Sequence, residues 1–75
     1  MTTDTKSRFL RVWRQEGYRP FDLDAKFADA HIDSLDFLSL IVALEKEFDI
    51  EIPVSAVIDF ETVGQLVAWV ETQQP

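Results

Sequence analysis

His31, Asp33, Ser34 and Asp36 fall within six consecutive positions and form the densest group of side chains in the chain that could do chemistry. A histidine, a serine and carboxylates are the parts of a hydrolytic triad. A triad needs its base in contact with the nucleophile, a third group orienting that base, and oxyanion donors beside a substrate pocket. Residues 31 and 34 instead flank a helix start, and the acids are close neighbours on the same surface turn. Serine-dependent catalysis therefore ranks last among the readings, no catalytic residue is assigned, and His31 is expected to be a solvent-exposed loop histidine.

Metal chemistry fares no better. The twelve residues from Asp22 to Asp33 are rich in acids, as a calcium loop would be. Lys26 takes a ligand position, Phe27 stands where glycine is needed, and Asp33 replaces the closing glutamate. There is no cysteine for a thiolate site or a disulfide. The two glycines, Gly17 and Gly64, are too far apart for a phosphate-binding loop.

What survives is the position of Ser34. Asp33-Ser34-Leu35 sits where a polar loop gives way to the apolar run Leu35 to Phe48. A helix N-terminus leaves backbone N–H groups unpaired and carries the positive end of the helix dipole. A serine in the first turn, with its hydroxyl outward, is well placed to carry a phosphate.

The elements that must hold this position can be taken in order. Asp4 to Glu16 reads as a helix with Phe9, Val12 and Trp13 on one face and Arg8, Arg11 and Arg14 mostly opposite. Gly17 is a natural stop, and Pro20 bars continuation. Tyr18 to Asp33 is a long connection with apolar anchors at Phe21, Leu23, Phe27 and Ile32 and room for a short helical turn. The second helix is expected from Ser34 to Glu47 or Phe48, with Asp33 as N-cap and Asp36 reaching back as a shortened capping box. Leu35, Leu38, Ile41, Val42, Leu44 and Phe48 cover more than one stripe of it. Residues 48–53 read as a loop, since Pro53 holds Ile52 extended. A short third helix is expected from Ser55 to Phe60, with Ser55 as cap. Thr62 should open the last helix with a capping box to Gln65, burying Val63, Leu66, Val67 and Val70 and leaving Trp69 at the edge. The tail Gln73-Gln74-Pro75 should fray. The expected fold is an all-α bundle of three main helices, one short helix and a long first loop, forming a single domain over residues 1–75.

Composition agrees. At 75 residues the chain is near the lower limit for a self-sufficient core, but 47% apolar residues suffice for a folded domain. The net charge of −7 argues against nucleic acid and anionic membranes as partners. Charge is also uneven: up to Lys26 there are six basic residues against four acids, and from Phe27 onward Lys46 alone faces ten acids. Basic partners would dock on that second half. No apolar segment follows the polar start Met1-Thr2-Thr3-Asp4, so no secretory signal is expected. Phe37 to Leu44 is too short to span a bilayer. A cytoplasmic monomer is the expectation.

Several motifs in order now resemble the acyl carrier protein family: Asp33-Ser34-Leu35-Asp36, the helix closing in Ala43-Leu44-Glu45-Lys46-Glu47-Phe48, the segment Asp49-Ile50-Glu51-Ile52-Pro53, and the Thr62-Val63 helix start. From Phe27 to Val70 the likeness needs no gap; the first helix and loop match in type and length only. The resemblance implies that Ser34, capped by Asp33, receives a 4′-phosphopantetheine arm from coenzyme A through a phosphopantetheinyl transferase. An acyl or aminoacyl group would ride on the arm's thiol as a thioester, for presentation to loading and acyl-transferring enzymes of lipid, polyketide or related biosynthesis. Such a carrier is not itself an enzyme. Carried over by position, Leu35, Asp36, Leu38, Val42, Glu45 and Glu47 would form the partner-binding face. The i, i+3, i+7 spacing of Leu35, Leu38 and Val42 equally describes a core stripe, and spacing alone cannot choose between the two.

The sequence also departs from the family. His31 stands where fatty-acid-synthesis members usually have glycine, and Ser39 where they have glutamate. Phe37 replaces a small residue, Ile50 and Val54 replace residues that are often polar, and Arg8, Arg11 and Arg14 are atypical of the first helix. These differences imply a specialised discrete carrier. They also suggest that aromatics fill the interior space where some carriers shelter long acyl chains, which would favour short or polar cargo. Two alternatives stay open: an aminoacyl or D-alanyl carrier, and an acidic helical interaction module that bears no phosphopantetheine.

Overall fold

Helix-forming segments, each ended by an identifiable stop, build the chain. The computed structural model describes residues 4–18 and 22–74. Helix α1 is Thr5–Gln15, α2 is Ser34–Phe48, α3 is Val54–Val57 and α4 is Val63–Thr72. Among the described residues there is no β-strand, only an isolated bridge between Lys26 and Thr62. The all-α bundle stands as expected, with three longer helices and one short one. Pro20 and Phe21 lie outside the described residues.

Side-chain oxygens start the long helices. The Asp4 carboxylate accepts from the Ser7 N–H at 2.7 Å and opens α1. Gly17 then turns the chain at φ 91°, a left-handed value that costs glycine little. Helix α2 ends similarly, but on Asp49 at φ 54°, with its N–H bonded to the Glu45 carbonyl. A left-handed aspartate was not anticipated from the sequence. Helix α4 opens with the full capping box: Thr62 Oγ1 accepts from the Gln65 N–H at 3.2 Å, and Gln65 Oε1 accepts from the Thr62 N–H at 3.0 Å.

The third helix departs from expectation. It starts at Val54, one residue early, ends at Val57, and Ser55 does not cap it. Pro53 occupies the N-cap position with φ −62°, and no side chain caps the helix. The fixed proline angle already points the chain into a helical turn, so the start needs no serine. The segment stops early because only Val57 faces the core, while Ile58 is exposed.

The core sits between α1, α2 and α4. Phe9, Val12 and Trp13 meet Leu40, Ile41, Leu44 and Phe48, and Val63, Leu66, Val67 and Val70 close the third side. Each fully buried side chain of this size contributes about 1.5–3 kcal/mol relative to exposure. Every apolar residue assigned to the α1 and α4 stripes is buried, and Trp69 lies at the edge.

The long first loop is held by backbone as well as by apolar anchors. Phe27 N–H donates to the Glu61 carbonyl at 2.9 Å, Val63 N–H to Ala25 at 3.0 Å, and Gly64 N–H to Leu23 at 2.8 Å. Residues 23–27 are thereby stitched to the start of α4. Residues 27–31 form successive turns, not a helix. This attachment fixes where the chain enters α2.

Candidate functional site

The entry to α2 is the site's frame. Asp33 is extended, at φ −86° and ψ −175°, and its carboxylate accepts from the Asp36 N–H at 2.9 Å. The Phe37 N–H makes the first helical backbone bond, to the Asp33 carbonyl at 2.9 Å. The N–H groups of Ser34 and Leu35 have no acceptor among the described residues. Two open donors and the positive end of the α2 dipole therefore surround an exposed serine. This arrangement suits an anionic group esterified to the hydroxyl. The return arm of the expected capping box, from the Asp36 carboxylate to the Asp33 N–H, is not among these bonds.

His31 directs the approach to that start. It lies in the left-handed region at φ 58°, with its N–H bonded to the Ala28 carbonyl at 3.2 Å. Its side chain is exposed, and among the described residues it makes no hydrogen bond to Ser34 or to an acid. The parts of a triad are neighbours here without forming one. Among the described residues, no three His, Asp or Glu side chains are grouped to hold a metal ion.

Beneath Ser34 lies a small open cleft of about 160 Å³, lined by Phe27, Ile32, Asp33, Ser34, Phe37, Ile58 and Phe60. Phe27 and Phe37 pack edge to face at its floor, with ring centroids 5.3 Å apart and planes at 76°. Both rings are buried. Ligand pockets for molecules of drug size usually span about 300–1,000 Å³, so this one holds only a small group.

Tyr18 supports the first turn of α2 from below. Its ring lies 4.9 Å from that of Trp13, and its hydroxyl reaches the Asp36 carbonyl at 3.5 Å. Burial, then the carboxylates of Asp36, Glu16 and Asp33, hold its phenol above the ordinary tyrosine range. The sequence had marked Tyr18 only as the start of a loop; nothing local signals a contact 18 residues away.

The apolar stripe of α2 divides in two. Ile41, Leu44 and Phe48 are buried, whereas Leu35, Leu38 and Val42 are 75%, 41% and 48% exposed. Of the two readings the spacing allowed, the structure selects the surface one. Val54 and Ile58 of the α3 region are exposed as well.

The acids of α2 also divide. Asp33 is exposed and Asp36 half-buried beside Ser34. Glu45 turns inward, and its Oε2 accepts from the Ile52 N–H at 2.9 Å, anchoring the loop to α3. Glu47 Oε2 pairs with Arg8 Nε at 2.9 Å, and a second Arg8 nitrogen donates to the Glu47 carbonyl. The same guanidinium lies 4.5 Å over the Phe48 ring. Arg8, which the sequence marked only as atypical of the first helix, is thus a three-way fastener of α1 to the end of α2.

No helix among the described residues is long and apolar enough to cross a membrane. One protein-family model, described as a phosphopantetheine attachment site, matches residues 7–70 of the chain. The match takes in almost all of the four helices and the loop between α1 and α2.

Proposed function

The chain belongs to the family of phosphopantetheine-attachment domains that includes the acyl carrier proteins, and from that premise we propose that Ser34 is the residue that bears the arm. Domains of this family carry 4′-phosphopantetheine covalently. They are generally carriers and not catalysts, and they work with transferases and biosynthetic enzymes. One observation supports Ser34 above the other serines. Of Ser7, Ser34, Ser39 and Ser55, only Ser34 is the first residue of a helix, and its own N–H and that of Leu35 have no acceptor among the described residues, which leaves them to an anion.

When attached, the arm supplies a terminal thiol that holds cargo as a thioester, a group this cysteine-free chain cannot provide itself. The chain's own residues position it. Asp33 caps the helix and fixes the turn, leaving the Ser34 hydroxyl outward. The Ser34 and Leu35 N–H groups and the helix dipole stabilise the phosphodiester charge. Asp33, Asp36, Leu35, Leu38 and Val42 then border the arm on the side from which an enzyme approaches.

The cargo favoured by this chain is short or polar. Phe27 and Phe37 fill the space beneath the serine, and the cleft that remains is small. A filled interior cannot also accommodate a long acyl chain without repacking. The sequence departures at His31, Phe37 and Ser39 support a specialised carrier serving one biosynthetic route.

The direct test is intact-mass measurement after incubation with a broad-specificity phosphopantetheinyl transferase and coenzyme A. The expected result is a gain of one arm, abolished by Ser34→Ala. No gain with several transferases would favour an acidic interaction module. Cargo is tested separately, by NMR of the loaded carrier. A medium-length acyl chain should leave the methyl signals of Leu40, Leu44 and Leu66 in place; a shift throughout the core refutes exclusion from the bundle.

A further inference from the structure

We infer that the outer face of α1 is a docking surface for a short acidic segment of a partner protein, separate from the surface around Ser34. Charge is segregated along the chain. Helix α1 carries four cations, Lys6, Arg8, Arg11 and Arg14, and no acid, whereas the rest of the chain sets three cations against fourteen acids. Arg8 is used within the fold by Glu47. Arg11 and Arg14 are exposed, and their guanidinium groups make no hydrogen bond or ion pair among the described residues. Three positions apart on a helix, they share one face. Their planar forks match carboxylates in two-point contacts.

The two arginines border a hollow. Ser7, Leu10, Arg11, Arg14 and Gln15 line an open groove of about 440 Å³, room for a few side chains. Half-buried Leu10 packs against the core and gives the groove an apolar floor. Val12, Gln15 and Glu16 border α2 on the other side of α1, so Ser7, Leu10 and Arg14 point away from α2 at 3.6 residues per turn. The groove shares no residue with the cleft at Ser34, which stays open when α1 is occupied. Charge complementarity selects the occupant: a few carboxylates for the arginines and an apolar side chain for Leu10. The net charge of −7 repels a long polyanion once it extends beyond α1. It also repels a second copy, whose acid-rich half would meet α1 in a head-to-tail contact that does not close. A short segment stays within the local positive field, since charges more than about 8 Å apart are largely screened at physiological salt. On a flexible tail, such a segment would raise the concentration of this chain beside its partner and leave α2 untouched. The surface does not depend on what Ser34 carries.

The test titrates the isotope-labelled full chain with a peptide of glutamates around a central leucine, followed by NMR at several salt concentrations. The amide signals of Ser7, Leu10, Arg11, Arg14 and Gln15 should shift to saturation while those of Ser34 and Leu35 stay in place, and binding should weaken as salt rises. An Arg11→Gln, Arg14→Gln double variant should bind about tenfold more weakly, having lost two exposed ion pairs. Both positions are exposed and glutamine is a good helix former, so the variant keeps its fold, as circular dichroism will show. Lys46→Gln should bind as wild type does. A peptide with serine in place of leucine should bind about fivefold more weakly. The inference is overturned if the shifts fall on Ser34 or on no residue of α1, if the double variant binds as wild type does, or if a single-stranded oligonucleotide of equal charge binds α1 as well as the peptide. Sedimentation decides the remaining occupant: concentration-dependent dimers that the double variant abolishes would assign α1 to a second copy and overturn the inference too.

Discussion

Replacing His31 by glycine should stabilise the carrier, and the structure sets the size of the gain. His31 sits at φ 58°, where the Cβ of an L-residue crowds the following carbonyl. That conformation costs about 1–2 kcal/mol for an L-residue. Glycine removes this cost but adds about 0.5–1 kcal/mol of backbone entropy to the unfolded chain. Little else changes, because the imidazole is exposed and makes no hydrogen bond among the described residues, and the backbone bond from His31 N–H to Ala28 survives. The net gain for His31→Gly is about 0.5–1 kcal/mol. A domain of this length unfolds with an entropy of about 0.16 kcal/mol/K, so Tm should rise by about 3–6 °C. Circular dichroism on heating measures it, with His31→Ala as the control that keeps a Cβ and should stay near wild type. An unchanged or lower Tm for His31→Gly would refute the reasoning, and so would an equal rise for His31→Ala.

Gly64→Ala should destabilise by about 1–3 kcal/mol, as overpacking does. Its added Cβ would lie 2.7 Å from the Leu23 carbonyl oxygen, which is backbone held by the Gly64 N–H itself, and urea unfolding will show the drop. Leu40→Ala removes a side chain with no exposed surface and should cost about 2–5 kcal/mol, enough to leave much of so small a domain unfolded at 37 °C by circular dichroism. Tyr18 gives an alkaline limit. Its phenol titrates higher folded than unfolded, so its contribution is intact below the ordinary tyrosine value near 10 and is lost as pH rises through the folded pKa. Stability followed above about pH 10 should fall less steeply in Tyr18→Phe than in wild type.

Much of this was legible in the sequence because the signals are local. Asp33 and Thr62 announce helix starts through side chains that bond backbone three residues on, and the α1 and α4 stripes repeat with helical period. The α2 stripe was ambiguous because the helix is apolar on two faces, and only the packing of Ile41 and Leu44 against α1 and α4 decides which face is outward. The Arg8–Glu47 fastening spans 39 positions and has no local signature. The start of α3 was misplaced because serine is the better cap on average, whereas here the proline angle sets the turn. Ser34 was legible only as a position; the role proposed for it comes from the family, not from any neighbour that activates it.

The fastening of α2 also decides which side of the cleft at Ser34 can yield. Arg8 ties the far end of α2 to α1, Tyr18 braces its first turn, and buried residues line its inner face throughout. The wall of the cleft formed by Ile58 and Phe60 is held by less: α3 is one turn long and buries only Val57, Ile58 is exposed, and Phe60 is half-buried against the core. Segments with few buried contacts open at a small fraction of the global unfolding free energy. The cleft is therefore hinged like a door on a fixed post, with α2 as the post and residues 54–60 as the leaf. Amide hydrogen exchange will be fast in that leaf and slow in α2, and a group that enters the cleft will displace the leaf and leave the helix of Ser34 where it stands.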